Sequence, residues 1–292
     1  MQEYSYINEE FMVEYPSFSV AMCVYAGDSA DNFNIAFDSV LKQTIKPDEI
    51  VLIIDGPIPN TIQVAINKYI NICNNNKIVL RVIRLKKNRG LGNALRIAIE
   101  KCHNEWIARM DSDDIAVSDR FEQQLNCILK NKDVDIIGGD INEFIGTDKN
   151  IVGKRSVPQD NNEIKQYMRT RCALNHMTVM YKKSVVMAAG NYMDWFWNED
   201  YYLWIRMMEQ GCQFANTGTV LVNVRVGKEM YQRRGGMKYF QSEMKLQKYM
   251  LEKKIIDLPI FITNAIKRMI IQVLIPSKIR GWAFRTFARS KL

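Results

Sequence analysis

Short apolar runs alternate with helix-like segments through the first 110 residues, and this order restricts the fold more than any other feature of the chain. The runs are almost continuously apolar, as in strands that are buried on both faces. They cover residues 18–26, 49–54, 78–85 and 105–110. The segments between them, residues 31–43, 61–73 and 91–102, carry apolar residues at helical spacing. Since parallel strands need crossovers of about this length, we predict an α/β fold with a mostly parallel sheet flanked by helices.

Polar loops follow each of the four strand-like runs. In open parallel sheets, ligands bind beyond the carboxyl ends of the strands. The loops at that edge are residues 26–30, 55–59, 86–92 and 111–114. A binding site is therefore expected where these loops meet.

An acidic run, Asp111, Ser112, Asp113 and Asp114, lies where the fourth apolar run ends. Alternate carboxylates in an extended turn can approach one hard divalent cation, which keeps positions free for phosphate oxygens. An acidic surface turn or a helix cap explains the same residues, because Asp stabilises both. The run alone leaves these alternatives open.

A second acidic pair, Glu199 and Asp200, opens a predicted helix. The helix dipole and the free amides keep a carboxylate at this position ionised, which suits a general base as well as a simple cap. The pair is surrounded by aromatic residues, which indicate a stacking surface or a partly dry pocket. They are Trp195, Phe196, Trp197, Tyr201, Tyr202 and Trp204.

The order of these motifs resembles the inverting nucleotide-sugar glycosyltransferases of glycosyltransferase family 2. The segments that carry the resemblance are VYAGDSADNF after the first strand, IIDGPIPN after the second, NRGLGNAL at the third helix, WIARMDSDD after the fourth strand, and NEDYYLWIRM. Together they span about residues 17–225. The resemblance implies a GT-A fold and a metal-dependent hexosyltransferase of the bacterial polysaccharide-biosynthesis type.

The resemblance also implies which residues bind the donor, a UDP-sugar. Asp55 would contact the uracil, and Asp111 would face the ribose or the sugar. The remaining donor-binding candidates are Tyr25, Ala26, Asp28, Asn88, Arg89, Gly90, Ser112 and Arg233. Arg233 lies in a stretch rich in glycine and arginine, residues 225–236, which suits a loop that closes over a diphosphate or a plain solvated connector.

Metal and catalytic roles follow from the same resemblance. Asp113 would bind Mn²⁺ or Mg²⁺, and His176 is a candidate metal or substrate contact whose alternative is a structural histidine. Asp200 would remove the proton of the acceptor hydroxyl, and Glu199 would orient the substrates. Transfer would proceed by one in-line displacement with inversion at the sugar carbon.

The net charge of +8 is concentrated at the C-terminal end of the chain. Residues 225–292 contain sixteen basic and four acidic residues, so the rest of the chain is mildly acidic. An apolar stripe of helical spacing accompanies these charges, which is typical of a helix lying on an anionic membrane surface. It comprises Ile262, Ile266, Met269, Ile270, Val273 and Leu274. The alternative is a helix docked on the body or on a homodimer partner, and no nucleic-acid motif accompanies the charge.

The sequence therefore predicts a glycosyltransferase domain over residues 1–225, with a nucleotide-binding half at 17–115 and an acceptor half at 116–225. Residues 226–292 would form a mobile loop and an amphipathic helical extension, with residues 258–292 on the membrane. The six cysteines include no CxxC pair, no secretory leader precedes them, and no run approaches the ~18 apolar residues of a spanning helix. We expect a cytoplasmic protein, peripheral on the inner face of the cytoplasmic membrane.

The predicted reaction moves a hexose or N-acetylhexosamine from a UDP-sugar to a hydroxyl of a glycan or lipid-linked saccharide during surface polysaccharide assembly. One alternative is a nucleotidyltransferase on a similar sheet, but the glycine-rich basic loop of that class does not follow the first strand. A non-catalytic membrane-surface module is the other, and it would leave both acidic groups unexplained.

Overall fold

A computed structural model describes residues 14–227 and 235–275. The described residues form one sheet of nine strands in the order β3-β2-β1-β4-β8-β6-β9-β5, with β7 paired to β6. The strands are β1 Phe18–Val24, β2 Glu49–Ile54, β3 Val79–Arg84, β4 Trp106–Met110, β5 Ile115–Ala116, β6 Ile136–Phe144, β7 Ile151–Arg155, β8 Met180–Lys182 and β9 Phe214–Arg225.

Helices cover both faces of this sheet. They are α1 Ala30–Leu41, α2 Asn60–Asn75, α3 Leu91–Lys101, α4 Arg120–Lys130, α5 Asn161–Met168, α6 Lys183–Ala188, α7 Glu199–Glu209, α8 Met237–Glu252 and α9 Leu258–Arg268. A 3₁₀ turn at His176–Thr178 and a π-helical turn at Met269–Leu274 complete the described elements. None of the described helices is both long and apolar enough to cross a membrane.

The predicted α/β fold is confirmed in its first half. Strands β1 to β4 are all parallel, and β2 and β4 are buried along their whole length. Every residue of β2 pairs in register with β3, from Glu49 opposite Val79 to Ile54 opposite Arg84. Continuous burial on both faces explains why β2 and β4 are almost entirely apolar.

The second half of the sheet is mixed. Strand β8 pairs antiparallel with β4 and β6, whereas the long strands β6 and β9 run parallel. Two strands predicted near residues 135–137 and 141–145 are one strand, β6, that continues through Gly138 and Gly139. A side chain at Gly139 would approach Leu221 to within 2.6 Å, so glycine allows β9 to pack closely.

Two apolar cores lie on opposite faces of the sheet. One contains the inward residues of α1, α2 and α4, and the other those of α3, α5, α6 and α7. Leu246 and Met250 of α8 belong to the second core and are fully buried. The described part of the C-terminal extension is helical, as predicted, and α8 packs into the same core as the rest of the domain.

Helix α9 packs with an unusual orientation of its faces. Its buried residue is polar Asn264, which donates to the carbonyl of Arg169 (3.0 Å) and to Oε1 of Gln247 (2.7 Å). Arg268 forms a largely buried ion pair of 2.5 Å with Glu243 of α8. Most of the predicted apolar stripe is instead exposed, including Ile262, Ile266 and Ile270. The stripe therefore does not dock on any of residues 14–227 and 235–275 that the structure describes.

Candidate active site

A cleft of about 1020 Å³ opens at the carboxyl ends of β1, β2 and β4. Ten of the predicted site residues line it. They are Tyr25, Asp28, Asp55, Asn88, Arg89, Gly90, Asp111, Ser112, Asp113 and Glu199. Of the other predicted residues, Ala26, His176 and Asp200 are not part of the lining, and Arg233 lies outside the described residues. The topology thus assembles loops that are far apart in sequence.

Asp55 organises the loop that follows β3. The backbone amides of Arg89 and Gly90 donate to its two carboxylate oxygens, at 2.7 and 2.9 Å. Gly56 has a φ of +89°, and a side chain there would approach the amide of Asn88 to 2.6 Å. Asp55 therefore holds the third loop against the second, and a uracil contact by this residue would be additional to that role.

Asp28 links the first loop to the acidic run. One of its oxygens accepts from the Tyr25 amide (3.0 Å) and from the Ser112 hydroxyl (2.9 Å). Burial raises the pKa of Asp28, although both hydrogen bonds oppose this change. The contact fixes the distance between the two loops across the floor of the cleft.

The acidic run is built around two arginines. Arg109, buried within β4, forms an ion pair of 2.5 Å with Asp111. At the other end, the amide of Arg225 donates to buried Asp114 at 2.8 Å, and its Nε donates to the carbonyl of Asp113 at 3.1 Å. Arg225 begins the stretch 225–236, which was predicted from the sequence to suit a loop. These contacts hold it at the end of β9. Asp114 has a structural role.

Asp113 differs from its neighbours because its carboxylate accepts no hydrogen bond from any described residue. Burial, followed by the nearby charges of Asp111 and Asp28, raises its pKa to about 6. Crowded carboxylates of this kind are stabilised by a cation. No group of three or more acidic, histidine or cysteine ligands occurs among the described residues. A metal here would need further oxygen ligands from a bound phosphate.

The second acidic pair opens α7. Glu199 reaches the cleft wall, where it packs against Gly92 at the start of α3, while Asp200 lies one residue further into the helix. Burial, and then the charge of Asp200, raises the pKa of Glu199 to about 7. Burial also raises the pKa of Asp200, while the Tyr201 amide and Arg109 lower it. Arg109 therefore acts electrostatically on both acidic groups.

His176 does not reach the cleft, so the structure does not support the predicted metal or substrate contact. Its Nε2 lies 2.7 Å from the Tyr192 hydroxyl, and its ring packs edge-on against Trp204 at 6.1 Å. Burial, and then the charge of Arg109, lowers its pKa well below the usual value. The neutral imidazole packs against two residues of the second core, Tyr192 and Trp204, as in the structural alternative.

Comparison with known proteins identifies the family. Residues 19–190 match the model of glycosyl transferase family 2. The UDP-Gal:α-D-GlcNAc-diphosphoundecaprenol β-1,3-galactosyltransferase of Escherichia coli is 36% identical over 279 residues, which cover 94% of this chain and 97% of that protein. This chain belongs to glycosyl transferase family 2. A second relative of this glycosyltransferase is the amylovoran biosynthesis glycosyltransferase AmsE of Erwinia amylovora. It is 35% identical over 237 residues, which cover 81% of this chain and 86% of AmsE.

Solved structures share the fold of this glycosyltransferase. Residues 1–349 of S. aureus TarS, in complex with UDP-GlcNAc, match with a TM-score of 0.61 at 16% identity, covering 87% of this chain and 72% of that one. The chain covers 43% of a longer TarS chain. The mannosyltransferase PcManGT from Pyrobaculum calidifontis, in complex with GDP-Man and Mn²⁺, matches with a TM-score of 0.58 at 13% identity. The match covers 94% of this chain and 79% of that one. The predicted GT-A fold is confirmed, and family membership decides against a nucleotidyltransferase or a non-catalytic module.

Sequence reasoning did not assign a role to two arginines that shape the site of this glycosyltransferase, Arg109 and Arg225. Arg109 leaves a signal, because it is the one charged residue in the apolar run WIARM. Arg225 leaves none, since its contacts with Asp113 and Asp114 join residues more than 100 positions apart. A wall formed by Trp195, Phe196 and Trp197 also enters the cleft.

Proposed function

We propose that this glycosyltransferase moves a hexose or N-acetylhexosamine from a UDP-sugar to a hydroxyl of a lipid-linked saccharide, with inversion, in bacterial surface polysaccharide assembly. The observation that carries the proposal is that buried Arg109 lies close to both acidic groups, the run 111–114 and the pair at 199–200. Its charge lowers the pKa values of carboxylates in each group. One group is suited to a nucleotide diphosphate, and the other to a proton-accepting step.

The donor half of the proposal rests on the loops after β1, β2 and β3. Their backbone is held by Asp28 and Asp55, so Tyr25 and the residues from Asn88 to Gly90 are fixed before a ligand binds. Such preorganisation lowers the entropic cost of binding. UDP as the nucleotide is supported by the UDP-Gal donor in the name of the Escherichia coli relative.

Asp113, with Asp111 beside it, would hold Mn²⁺ or Mg²⁺ together with the diphosphate oxygens. These oxygen ligands fit a hard cation, because such cations prefer carboxylate and phosphate oxygens. When bound, the cation offsets negative charge on the departing UDP. Arg109 positions Asp111 by their ion pair and reduces repulsion among the acids below the donor.

We propose Asp200 as the base and Glu199 as the residue that orients the sugar or the acceptor. Asp200 takes the proton of the acceptor hydroxyl while the oxygen bonds to the sugar carbon and the bond from that carbon to UDP breaks. Attack from the face opposite UDP inverts the configuration. The raised pKa of Asp200 strengthens it as a base near neutral pH, and the amide of Tyr201 keeps it oriented.

A lipid-linked acceptor is supported by the diphosphoundecaprenol in the name of the Escherichia coli relative, and a role in polysaccharide assembly by the amylovoran biosynthesis in the name of AmsE. Such acceptors lie at a membrane. We propose that the exposed apolar face of α9 and the following turn holds the enzyme on the anionic inner face of the cytoplasmic membrane. Exposed Lys267 on the helix, and the five basic and no acidic residues of the sequence 276–292, suit that surface.

The orientation of α9 supports a membrane more than a solvated surface. Water would favour exposing Asn264 and burying Ile266, yet Asn264 is buried and Ile266 is 55% exposed. Buried polar contacts to Gln247 and Glu243 fix this orientation. The exposed face also includes Leu258, Ile262, Met269, Ile270 and Leu274. Contiguous apolar patches of this kind mark interaction sites.

We expect the double substitution Ile266→Glu and Ile270→Glu to weaken binding of the full chain to phosphatidylglycerol vesicles by at least about tenfold. Two charged side chains would replace apolar ones in the membrane interface. Co-sedimentation at low and high salt measures this effect, and Val64→Glu with Ile70→Glu, exposed residues of α2, is the matched control. Unchanged vesicle binding, or a dimer lost on substitution, would contradict the membrane role and favour a homodimer surface.

A screen of UDP-sugars for UDP release, with and without an alkyl-diphospho-N-acetylglucosamine acceptor, tests the proposed reaction. We expect release from one donor to depend on both the acceptor and a divalent cation. If no UDP-sugar is turned over with this acceptor or with a panel of other saccharide acceptors, the proposed function is wrong.

A further inference from the structure

The wall of the cleft beside Glu199 is aromatic, and it is partly built by the C-terminal extension. Trp195, Phe196 and Trp197 line the cleft together with Tyr239 from α8. Trp197 is 46% exposed, which is unusual for so large an apolar side chain next to an enzyme's acidic groups. The same cleft is lined by residues of the loops after β1, β2 and β3.

Trp197 also has a strained backbone, with a φ of +55°. Bulky residues rarely adopt this left-handed conformation, so surrounding contacts must enforce it. Three hydrogen bonds to Ser242 of α8 do so. Trp195 Nε1 donates to the Ser242 carbonyl (3.3 Å), Asn198 Nδ2 donates to its hydroxyl (3.2 Å), and that hydroxyl donates to the Phe196 carbonyl (2.6 Å).

The strained segment presents a rigid aromatic surface with a cation beside it. The rings of Phe196 and Trp197 stack at 4.6 Å with an interplanar angle of 19°. The ammonium of Lys238 lies 4.2 Å from the centre of the Phe196 ring, and Tyr239 lies 6.2 Å from Trp197. A flat apolar face next to a positive charge matches a sugar ring that carries a phosphate.

We propose that Trp197 is the stacking platform for the acceptor's pyranose ring, and that Lys238 meets the phosphate attached to that ring. The proposal deepens the proposed function and rests on it. The C–H faces of a pyranose are apolar and pack on an indole, while its hydroxyls remain free to reach Glu199 and Asp200. The position of Trp197 two residues before Glu199 therefore orders the acceptor at the reacting end of the cleft. Helix α8 becomes part of the acceptor site through Ser242, Tyr239 and Lys238.

Steady-state kinetics of the full chain with the alkyl-diphospho-N-acetylglucosamine acceptor tests the platform. Trp197→Leu, which keeps an apolar side chain but removes the aromatic face, should raise the KM for the acceptor by about tenfold or more. The KM for the UDP-sugar should stay within about twofold, because Trp197 is proposed to contact the acceptor and not the donor. Trp197→Phe should recover most of the loss. Lys238→Met should raise the acceptor KM, whereas Lys248→Met, an exposed lysine of the same helix, should not.

An unchanged acceptor KM in Trp197→Leu, or an equal rise in both KM values, would overturn the proposal. If the wild-type enzyme transfers no sugar, the proposed function fails and the platform is judged by binding alone. Tryptophan fluorescence of the wild-type chain should then change on titration with the alkyl-diphospho sugar, and this change should be lost in Trp197→Leu. A change of the same size in that variant would overturn the platform independently of turnover.

Discussion

Asp200→Asn should lower kcat for sugar transfer by about 10²–10⁴-fold, the usual contribution of a general base. The amide has the size of the carboxylate and can still accept from the Tyr201 amide, so the start of α7 should remain intact. UDP affinity should stay within about twofold, because Asp200 is not among the residues that line the cleft. Single-turnover kinetics and UDP titration measure the two quantities separately.

Glu199→Gln is the matched control for this substitution. It should reduce the rate less than Asp200→Asn does. It should also raise the KM for the UDP-sugar or for the acceptor, as expected for an orienting residue. In the wild-type enzyme, kcat should fall as the pH is lowered through about 7, where Glu199 takes up a proton, since only ionised carboxylates orient substrates or accept protons here. A larger loss in Glu199→Gln than in Asp200→Asn would transfer the role of base to Glu199, the residue that reaches the cleft wall.

Asp113→Asn should reduce kcat/KM by about a thousandfold, because a metal that offsets charge on the leaving group contributes several kcal/mol. The fold should be unaffected or slightly stabilised, since the substitution removes a partly buried carboxylate whose pKa is raised to about 6 by burial and by its acidic neighbours. The metal concentration needed for half-maximal activity should rise. Kinetics over a range of Mn²⁺ and Mg²⁺ concentrations, with thermal unfolding as the control for folding, measures these effects.

Asp133→Asn provides the comparison for Asp113→Asn, because Asp133 is an exposed acid outside the cleft. It should retain wild-type kinetics and the same metal requirement. Full activity of Asp113→Asn, or wild-type activity in the presence of a chelator, would show that Asp113 does not hold a catalytic cation.

The first half of the sheet could be predicted closely from the sequence. Strand β2 was predicted at its observed bounds, and the other three of the first four strands within two residues. Burial on both faces explains the mainly apolar sequences of β1, β2 and β4. The acidic run 111–114 and Asp55 were expected at one site because loops at the carboxyl ends of parallel strands must lie at one edge. The use of Asp55 to anchor Arg89 and Gly90 was not foreseen, because hydrogen bonds to backbone amides leave no mark in a sequence.

The second half of the sheet was harder to predict. Strand β9 was missed because its sequence, FANTGTVLVNVR, is interrupted by polar residues and by Gly218, whose φ is +73°. It forms by pairing with β6, which is a contact between distant residues. His176 was assigned a candidate contact by resemblance, whereas packing against Tyr192 and Trp204 decides its position. The exposed stripe of α9 was predicted as a periodicity, but its outward orientation depends on the buried contacts of Asn264 and Arg268.

The most direct test of the central claim is the structure of the product formed from a UDP-sugar and the alkyl-diphospho-N-acetylglucosamine acceptor. Mass spectrometry should detect an acceptor that has gained one hexose or N-acetylhexosamine, and the anomeric proton coupling in its NMR spectrum should show inverted configuration. Asp200→Asn, under the same conditions, should give almost no product. A product with retained configuration, or equal product from wild type and Asp200→Asn, would contradict the assignment of the two acidic groups to an inverting transfer.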